Sequence, residues 1–161
     1  MKQLILVRHG KSSWDYQVND RDRPLKERGI NDGHLVASTF GAQKVELDAV
    51  FSSPANRALH TCMIFLRKLN FPLTKFRVTN ELYDFSGEDV LNFVGSLPNS
   101  LNTVMIFGHN YAFTNIANSL GNKYIDNVPT SGLVQLYFDV TDWKKLAKGT
   151  TKQMLFPKTL R

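Results

Sequence analysis

Arg8-His9, Arg57 and His109 are the residues of this chain whose types and placement could do chemistry together. Guanidinium groups stay charged at any working pH and offer forked donors that match phosphate oxygens in pairs. An imidazole, with a reference pKa of about 6.5, is available as a neutral nucleophile near neutrality. Attack on phosphorus needs little beyond alignment and neutralisation of the equatorial oxygens. Each feature alone is commonplace: Arg-His-Gly is a weak motif, a helix arginine is usually solvated, and Gly-His after a strand is ordinary. Order and placement give them weight. Each sits at the end of an apolar run or on the helix just beyond one, and ligands of open α/β sheets bind beyond the carboxyl ends of strands. Gly10 and Gly108 lack a Cβ and let backbone or ligand approach closely.

The elements that must position these residues can be read from the same sequence. Residues 3–7 (QLILV) form a continuous apolar, β-prone run, as expected of a strand buried on both faces. Residues 11–23 are polar and read as a loop. Pro24 can open a helix that closes near Gly41. Residues 47–51 form a second strand, followed by a helix with Ser53 as cap and Pro54 at its first position. Arg57 then lies on the first turn, at a helix end that itself attracts anions. A weak third strand is expected at 74–78, and a helix capped near Ser86. A strong strand at 103–107 leads to Gly108-His109, a helix over 112–120 ends at Gly121, and another strand covers 133–138. Strands alternating with helices imply an α/β fold, a single three-layer α/β/α domain with a mainly parallel sheet.

The chain has 161 residues, 42% hydrophobic and 21% charged, which suits one globular domain over 1–161 rather than a disordered segment. Of the net charge of +6, six Lys/Arg against two acidic residues in 139–161 supply +4. The core is therefore expected at about 3–138, followed by a basic segment that reads as a solvated tail or as a patch that attracts acidic partners. No nucleic-acid module accompanies that charge, so no nucleic-acid partner is expected. The apolar run at 4–7 is too short for a signal or a membrane span, which points to a cytoplasmic protein with no membrane partner. Cys62, the only cysteine, lies in an apolar run and reads as an inert core thiol. His34 and His60 read as ordinary helix residues, His60 with a supporting place behind Arg57. No Cys, His or acidic set has metal-ligand spacing, so neither metal nor cofactor is expected.

The segments Leu6-Val7-Arg8-His9-Gly10-Lys11-Ser12, Ser53-Pro54-Ala55-Asn56-Arg57-Ala58-Leu59-His60-Thr61 and Gly108-His109-Asn110 resemble, in order, three motifs of the histidine phosphatase superfamily, which includes the cofactor-dependent phosphoglycerate mutases. The resemblance runs from Leu4 to about Phe138. Within the superfamily the chain looks closest to SixA-type phosphohistidine phosphatases, on the Arg-His-Gly-Lys-Ser-Ser-Trp opening, Asp20-Arg21-Asp22-Arg23-Pro24-Leu25 with Gly29 after it, and Glu81-Leu82-Tyr83.

That resemblance implies a phosphoglycerate mutase-like fold and a phosphatase in which His9 is phosphorylated transiently while Arg8, Arg57 and His109 complete the phosphate pocket. Arg23 and Ser12 become further phosphate-binding candidates. Larger relatives use a carboxylic acid to protonate the departing oxygen. Glu81 is the candidate here, with Asp84 and Glu88 behind it. Little chain separates Phe71 from Val104, which leaves no room for a lid. The expected substrate is phosphohistidine on a phosphotransfer protein in signal transduction, with inorganic phosphate as product. Two alternatives remain at this level: a phosphatase or mutase for small phosphate esters, and a non-catalytic phosphate-sensing or protein-binding module.

Overall fold

The apolar runs at 3–7 and 103–107 become neighbouring strands at the middle of the sheet, β1 (Lys2–Arg8) and β4 (Thr103–Gly108). The computed structural model describes all of residues 1–161. The two strands pair in parallel, from Gln3 beside Thr103 to Arg8 beside Gly108. Their ends are therefore level, and Arg8-His9 and Gly108-His109 leave the sheet side by side. Side chains alternate between two apolar cores, with Leu4, Leu6, Val104 and Ile106 on one face and Ile5, Val7, Met105 and Phe107 on the other.

Beyond β4, β2 (Ala49–Ser52) pairs in parallel with Ser52 beside Phe107, and β3 (Phe76–Val78) adds a parallel edge. On the other flank, β5 (Leu133–Phe138) and β6 (Thr150–Leu155) are antiparallel, giving the order β3-β2-β4-β1-β5-β6. One face is covered by α1 (Glu27–Gly41), α2 (Asn56–Leu69) and the short α5 (Pro157–Leu160). The other is covered by α3 (Glu88–Gly95) and α4 (Ala112–Leu120). This is the expected three-layer arrangement around a mainly parallel sheet.

Several local expectations are corrected. Helix α1 starts at Glu27 rather than Pro24, because Leu25 is held in an isolated antiparallel bridge with Ser12. Helix α2 starts at Asn56 with Ala55 as its cap residue, so Ser53 and Pro54 precede it. Thr74 and Lys75 belong to a short 3-10 turn before β3. Helix α3 is capped by the carboxylate of Asp84, which accepts from the N–H groups of Gly87 and Val90, and not by Ser86.

The largest correction concerns residues 139–161, which are not a solvated tail. Trp143 is buried and its Nε1 donates to the Leu101 carbonyl at 2.8 Å. Leu155 on β6 joins the core beneath α1 and α2, and the Arg161 guanidinium reaches Asp32 at 2.8 Å. The lysines of the segment are exposed, and Lys152 lies on the edge strand β6. No helix is long and apolar enough to cross a membrane.

Candidate active site

The four residues read from the sequence are brought together at the carboxyl end of β1 and β4. The His9 N–H donates to the Gly108 carbonyl at 3.1 Å, and the Arg8 N–H to the Gly132 carbonyl at 3.0 Å. Helix α2 is tied to the same point: Gly10 N–H donates to Thr61 Oγ1 at 2.9 Å, and that hydroxyl donates to the Arg57 carbonyl at 2.8 Å. Gly10 makes room for protein rather than ligand, since a Cβ there would lie 2.9 Å from the Gly29 carbonyl oxygen on α1. Gly108 likewise faces the Phe113 ring, 2.7 Å from where its Cβ would stand.

His9 is buried, and its Nδ1 lies 2.7 Å from the Gly10 carbonyl oxygen. A carbonyl only accepts, so Nδ1 carries the proton and Nε2 keeps its lone pair. Burial, then the neighbouring His109 imidazole and the Arg57 and Arg8 guanidiniums, push its pKa well below the usual histidine value, against the bond to Gly10. The His9 and His109 ring centroids lie 5.1 Å apart, with the ring planes tilted by 51°. His109 is buried too; burial, followed by Arg57, lowers its pKa to about 3. Its Nε2 lies 2.8 Å from the Ser53 hydroxyl, which also accepts from the Ala55 N–H at 3.2 Å. Assigned from that network, Ser53 donates to Nε2, and the ring proton sits on Nδ1.

Both arginines are anchored by hydrogen bonds to other parts of the fold. Arg8 Nη1 donates to the Val128 carbonyl at 2.9 Å. Arg57 Nη1 and Nη2 donate to the Asp20 carbonyl and carboxylate at 2.6 and 2.9 Å. The buried side-chain polar atoms left without any partner are Arg8 Nε, Arg57 Nε, His109 Nδ1 and Ser131 Oγ. An unpaired buried donor costs about 1–3 kcal/mol. Three of these atoms belong to Arg8, Arg57 and His109, which form a cationic cradle around His9. Ser131 completes the floor from the backbone: with φ at 63°, its N–H donates to the carbonyls of both Arg8 and His9.

A cavity of about 310 Å³ opens over this floor, lined by Arg8, His9, Lys11, Ser12, Trp14, Asp20, Arg23, Arg57, Phe85 and Thr130. A larger hollow of about 420 Å³ lies around Phe51, Phe93 and Leu97, with none of the four residues in its lining. Arg23 and Ser12 are in the cavity wall but already paired, with Arg23 Nη2 at 2.5 Å from Ser12 Oγ. Arg23 also donates to the Ser13 carbonyl and to Asp20.

Glu81 is exposed on a 3-10 turn and does not line the cavity. Burial raises the Asp84 pKa, but the hydrogen bonds from Ser86, Val90 and Gly87 outweigh it and hold Asp84 ionised as a helix cap. Glu88 is exposed on the first turn of α3. His34 is exposed, His60 makes no hydrogen bond to Arg57, and burial raises the Cys62 thiol pKa. No group of three or more His, Cys, Asp or Glu stands where it could hold a metal ion.

Asp20, Ser53 and Tyr83 were not singled out by their chemistry in the sequence. Asp20 holds Arg57 and Arg23 and accepts from the Tyr83 hydroxyl at 2.5 Å. Burial raises its pKa, but Tyr83, Arg57 and Arg23 together bring it down to about 2. Only the Asp-rich stretch ahead of Arg23 hinted at this.

The comparisons with known proteins converge on one family. Residues 4–90 match the family described as Histidine phosphatase superfamily (branch 1). A 2,3-bisphosphoglycerate-dependent phosphoglycerate mutase of Methylorubrum extorquens is 33% identical over 69 residues, which is 41% of this chain and 32% of the mutase. The chain thus spans about a third of that relative's length. An uncharacterised protein of Mycobacterium tuberculosis is 26% identical over 140 residues, covering 81% of this chain and 85% of that one. Among solved structures, the protein histidine phosphatase SixA complexed with tungstate superposes at a TM-score of 0.84 with 26% identity, covering 99% of both chains. A putative phosphohistidine phosphatase SixA from Agrobacterium tumefaciens gives 0.80 at 23% identity over 96% of this chain and 97% of that one, a likeness of fold.

Proposed function

This chain belongs to the histidine phosphatase superfamily, and from that premise we propose that it is a phosphatase acting through a phosphohistidine on His9, with phosphohistidine of a phosphotransfer protein as its substrate. The observation that carries this is the convergence of Arg8, Arg57 and His109 on a neutral His9 imidazole, with Arg8, His9 and Arg57 lining one cavity. Arg57 has both terminal nitrogens tethered and Arg8 has one, and in each the Nε makes no hydrogen bond, which leaves a guanidinium edge for phosphoryl oxygens.

In the first step the Nε2 lone pair of His9 bonds to phosphorus as the substrate P–N bond breaks. The bonding pair goes to the substrate ring nitrogen, which takes a proton from solvent. In the second step a water oxygen attacks the phosphorus on His9 and gives a proton to solvent, and inorganic phosphate leaves as the P–N bonding pair returns to Nε2. The equatorial oxygens draw their stabilisation from Arg8, Arg57 and the Nδ1–H of His109. A protonated ring nitrogen leaves readily, so this substrate does not require Glu81 as an acid. Two guanidiniums meet the phosphoryl charge, so the chemistry requires no metal, and EDTA is expected to leave turnover unchanged.

The discriminating experiment exposes the protein to a phosphohistidine peptide and to a panel of small phosphate esters, with single-turnover labelling. The expected result is faster turnover of the peptide and acid-labile phosphate on His9, absent from His9→Ala while tungstate still binds. Normal turnover by His9→Ala would sink the mechanism. Faster turnover of esters would shift the substrate to small phosphates, and retention of no label would leave a binding module.

A further inference from the structure

The mouth of the cavity carries two aromatic side chains that neither core uses. Trp14 is 75% exposed and Phe85 is 46% exposed, yet both line the cavity that contains His9. Neither is loose. The Trp14 ring packs on the Arg23 guanidinium, 3.2 Å from ring centroid to carbon. Phe85 stands edge-on to Tyr83 at 5.2 Å and lies 5.0 Å from the His109 ring. Arg23 is fixed in turn by Ser12, Ser13 and Asp20. These contacts fix the rings in place at the mouth, and the exposed part of their surface is available to whatever enters.

In-line displacement fixes what enters there. With the equatorial oxygens held by the cradle and Nε2 attacking along the axis, the leaving group departs on the side away from His9, toward the mouth. We infer that Phe85 and Trp14 are specificity-determining residues that receive the planar ring of the leaving group, favouring phosphate on an imidazole over phosphate on a group without a ring. This rests on the phosphatase function proposed above and adds the part of the site that reads the substrate. Face or edge contact with one aromatic side chain changes affinity about threefold to tenfold. A sugar or alkyl phosphate would find only Lys11 and Thr130 as polar groups beyond the three arginines, His9, Ser12 and Asp20 of the lining.

The test compares two donors with the same kind of P–N bond, N-phosphoimidazole and phosphoramidate, the second being the ringless reference. Each is assayed with wild type, Phe85→Leu, Trp14→Leu and the double variant. Leucine keeps apolar bulk and removes the π face, and tungstate affinity reports whether the cradle stays intact. The expected result is a kcat/KM loss on N-phosphoimidazole that exceeds the loss on phosphoramidate about fivefold per substitution, carried mainly by KM. Equal losses on both donors, or none on either, would overturn the assignment. So would a loss seen only with a whole phosphorylated protein, since that marks a docking contact. If wild type turned over neither donor and retained no phosphate on His9, the phosphatase reading itself would fall, and this inference with it.

Discussion

Arg57 gives both terminal nitrogens to one residue, Nη1 to the Asp20 carbonyl at 2.6 Å and Nη2 to the Asp20 carboxylate at 2.9 Å. This leaves Nε as the inward donor and sets the plane of the guanidinium. The carbonyl bond survives any side-chain change, so Asp20→Ala loosens Arg57 without releasing it. The Asp20 side chain is 43% exposed, and solvent screening limits the pair to about 1 kcal/mol. Tungstate affinity, measured calorimetrically, is expected to fall about fivefold in Asp20→Ala. Tighter binding would instead identify the carboxylate as a competitor for Arg57.

Ser53 acts on His109 as Asp20 acts on Arg57. Its hydroxyl, 2.8 Å from Nε2, fixes which ring nitrogen bears the proton. Ser53→Ala removes that control while leaving the start of α2 at Asn56, where Ala55 is the cap residue. A lost buried hydrogen bond of about 1 kcal/mol corresponds to about a fivefold loss in kcat/KM. Nitrogen NMR should show the His109 proton redistributed toward Nε2; an unchanged tautomer would remove Ser53 from the site.

The two depressed histidines make stability depend on pH in a stated direction. Below about pH 6.5 the unfolded chain protonates both, while the folded protein resists, with His109 holding out to about pH 3. The unfolded state therefore binds more protons there. The stability from neutral burial is complete above pH 6.5 and is lost as pH falls toward 3, by up to about 1.4 kcal/mol per pH unit for each histidine. The melting temperature should drop across this window, and less so in His109→Gln. Saturating phosphate, which favours a charged imidazole, should flatten the slope. A steeper slope with phosphate would contradict the cradle.

Glu81 offers a clean negative. It is exposed and outside the cavity lining, so Glu81→Gln should change kcat/KM on a phosphohistidine peptide by less than about twofold, a surface-substitution effect. A tenfold loss would restore it as a proton donor.

How much was legible follows from what each residue's position depends on. Arg8, His9 and His109 depend on two continuous apolar strands, and a buried parallel pair announces itself by composition. Arg57 depends on a helix start that Pro54 marks within two residues, although the cap was misplaced. Asp20 depends on a polar, aperiodic loop folding back onto α2 and Tyr83, and no local pattern encodes that. Ser53 has the residue type of a cap and spends its hydroxyl on a histidine far along the chain. Asp84 and Ser86 are both cap-forming types, and only the turn geometry selects the carboxylate. Strand β6 was hidden because an edge strand of Thr, Lys and Gln, with Thr151 and Leu155 buried, carries too little apolar signal against five exposed lysines.

The segment that contains that strand supplies the strongest stability prediction. Trp143 is 1% exposed, donates to the Leu101 carbonyl, and lies 5.4 Å from the Lys2 ammonium. It thus braces the start of β1, whose other end carries Arg8 and His9. Trp143→Ala should cost about 3–5 kcal/mol in urea unfolding. Removal of residues 139–161 takes away Trp143, β6 and the Arg161–Asp32 pair together. Against a typical domain stability of about 5–15 kcal/mol, that loss should abolish cooperative unfolding and, through the disordered end of β1, tungstate binding. If instead the segment were only a solvated cationic tail, the shortened chain would melt cooperatively and keep its oxyanion site.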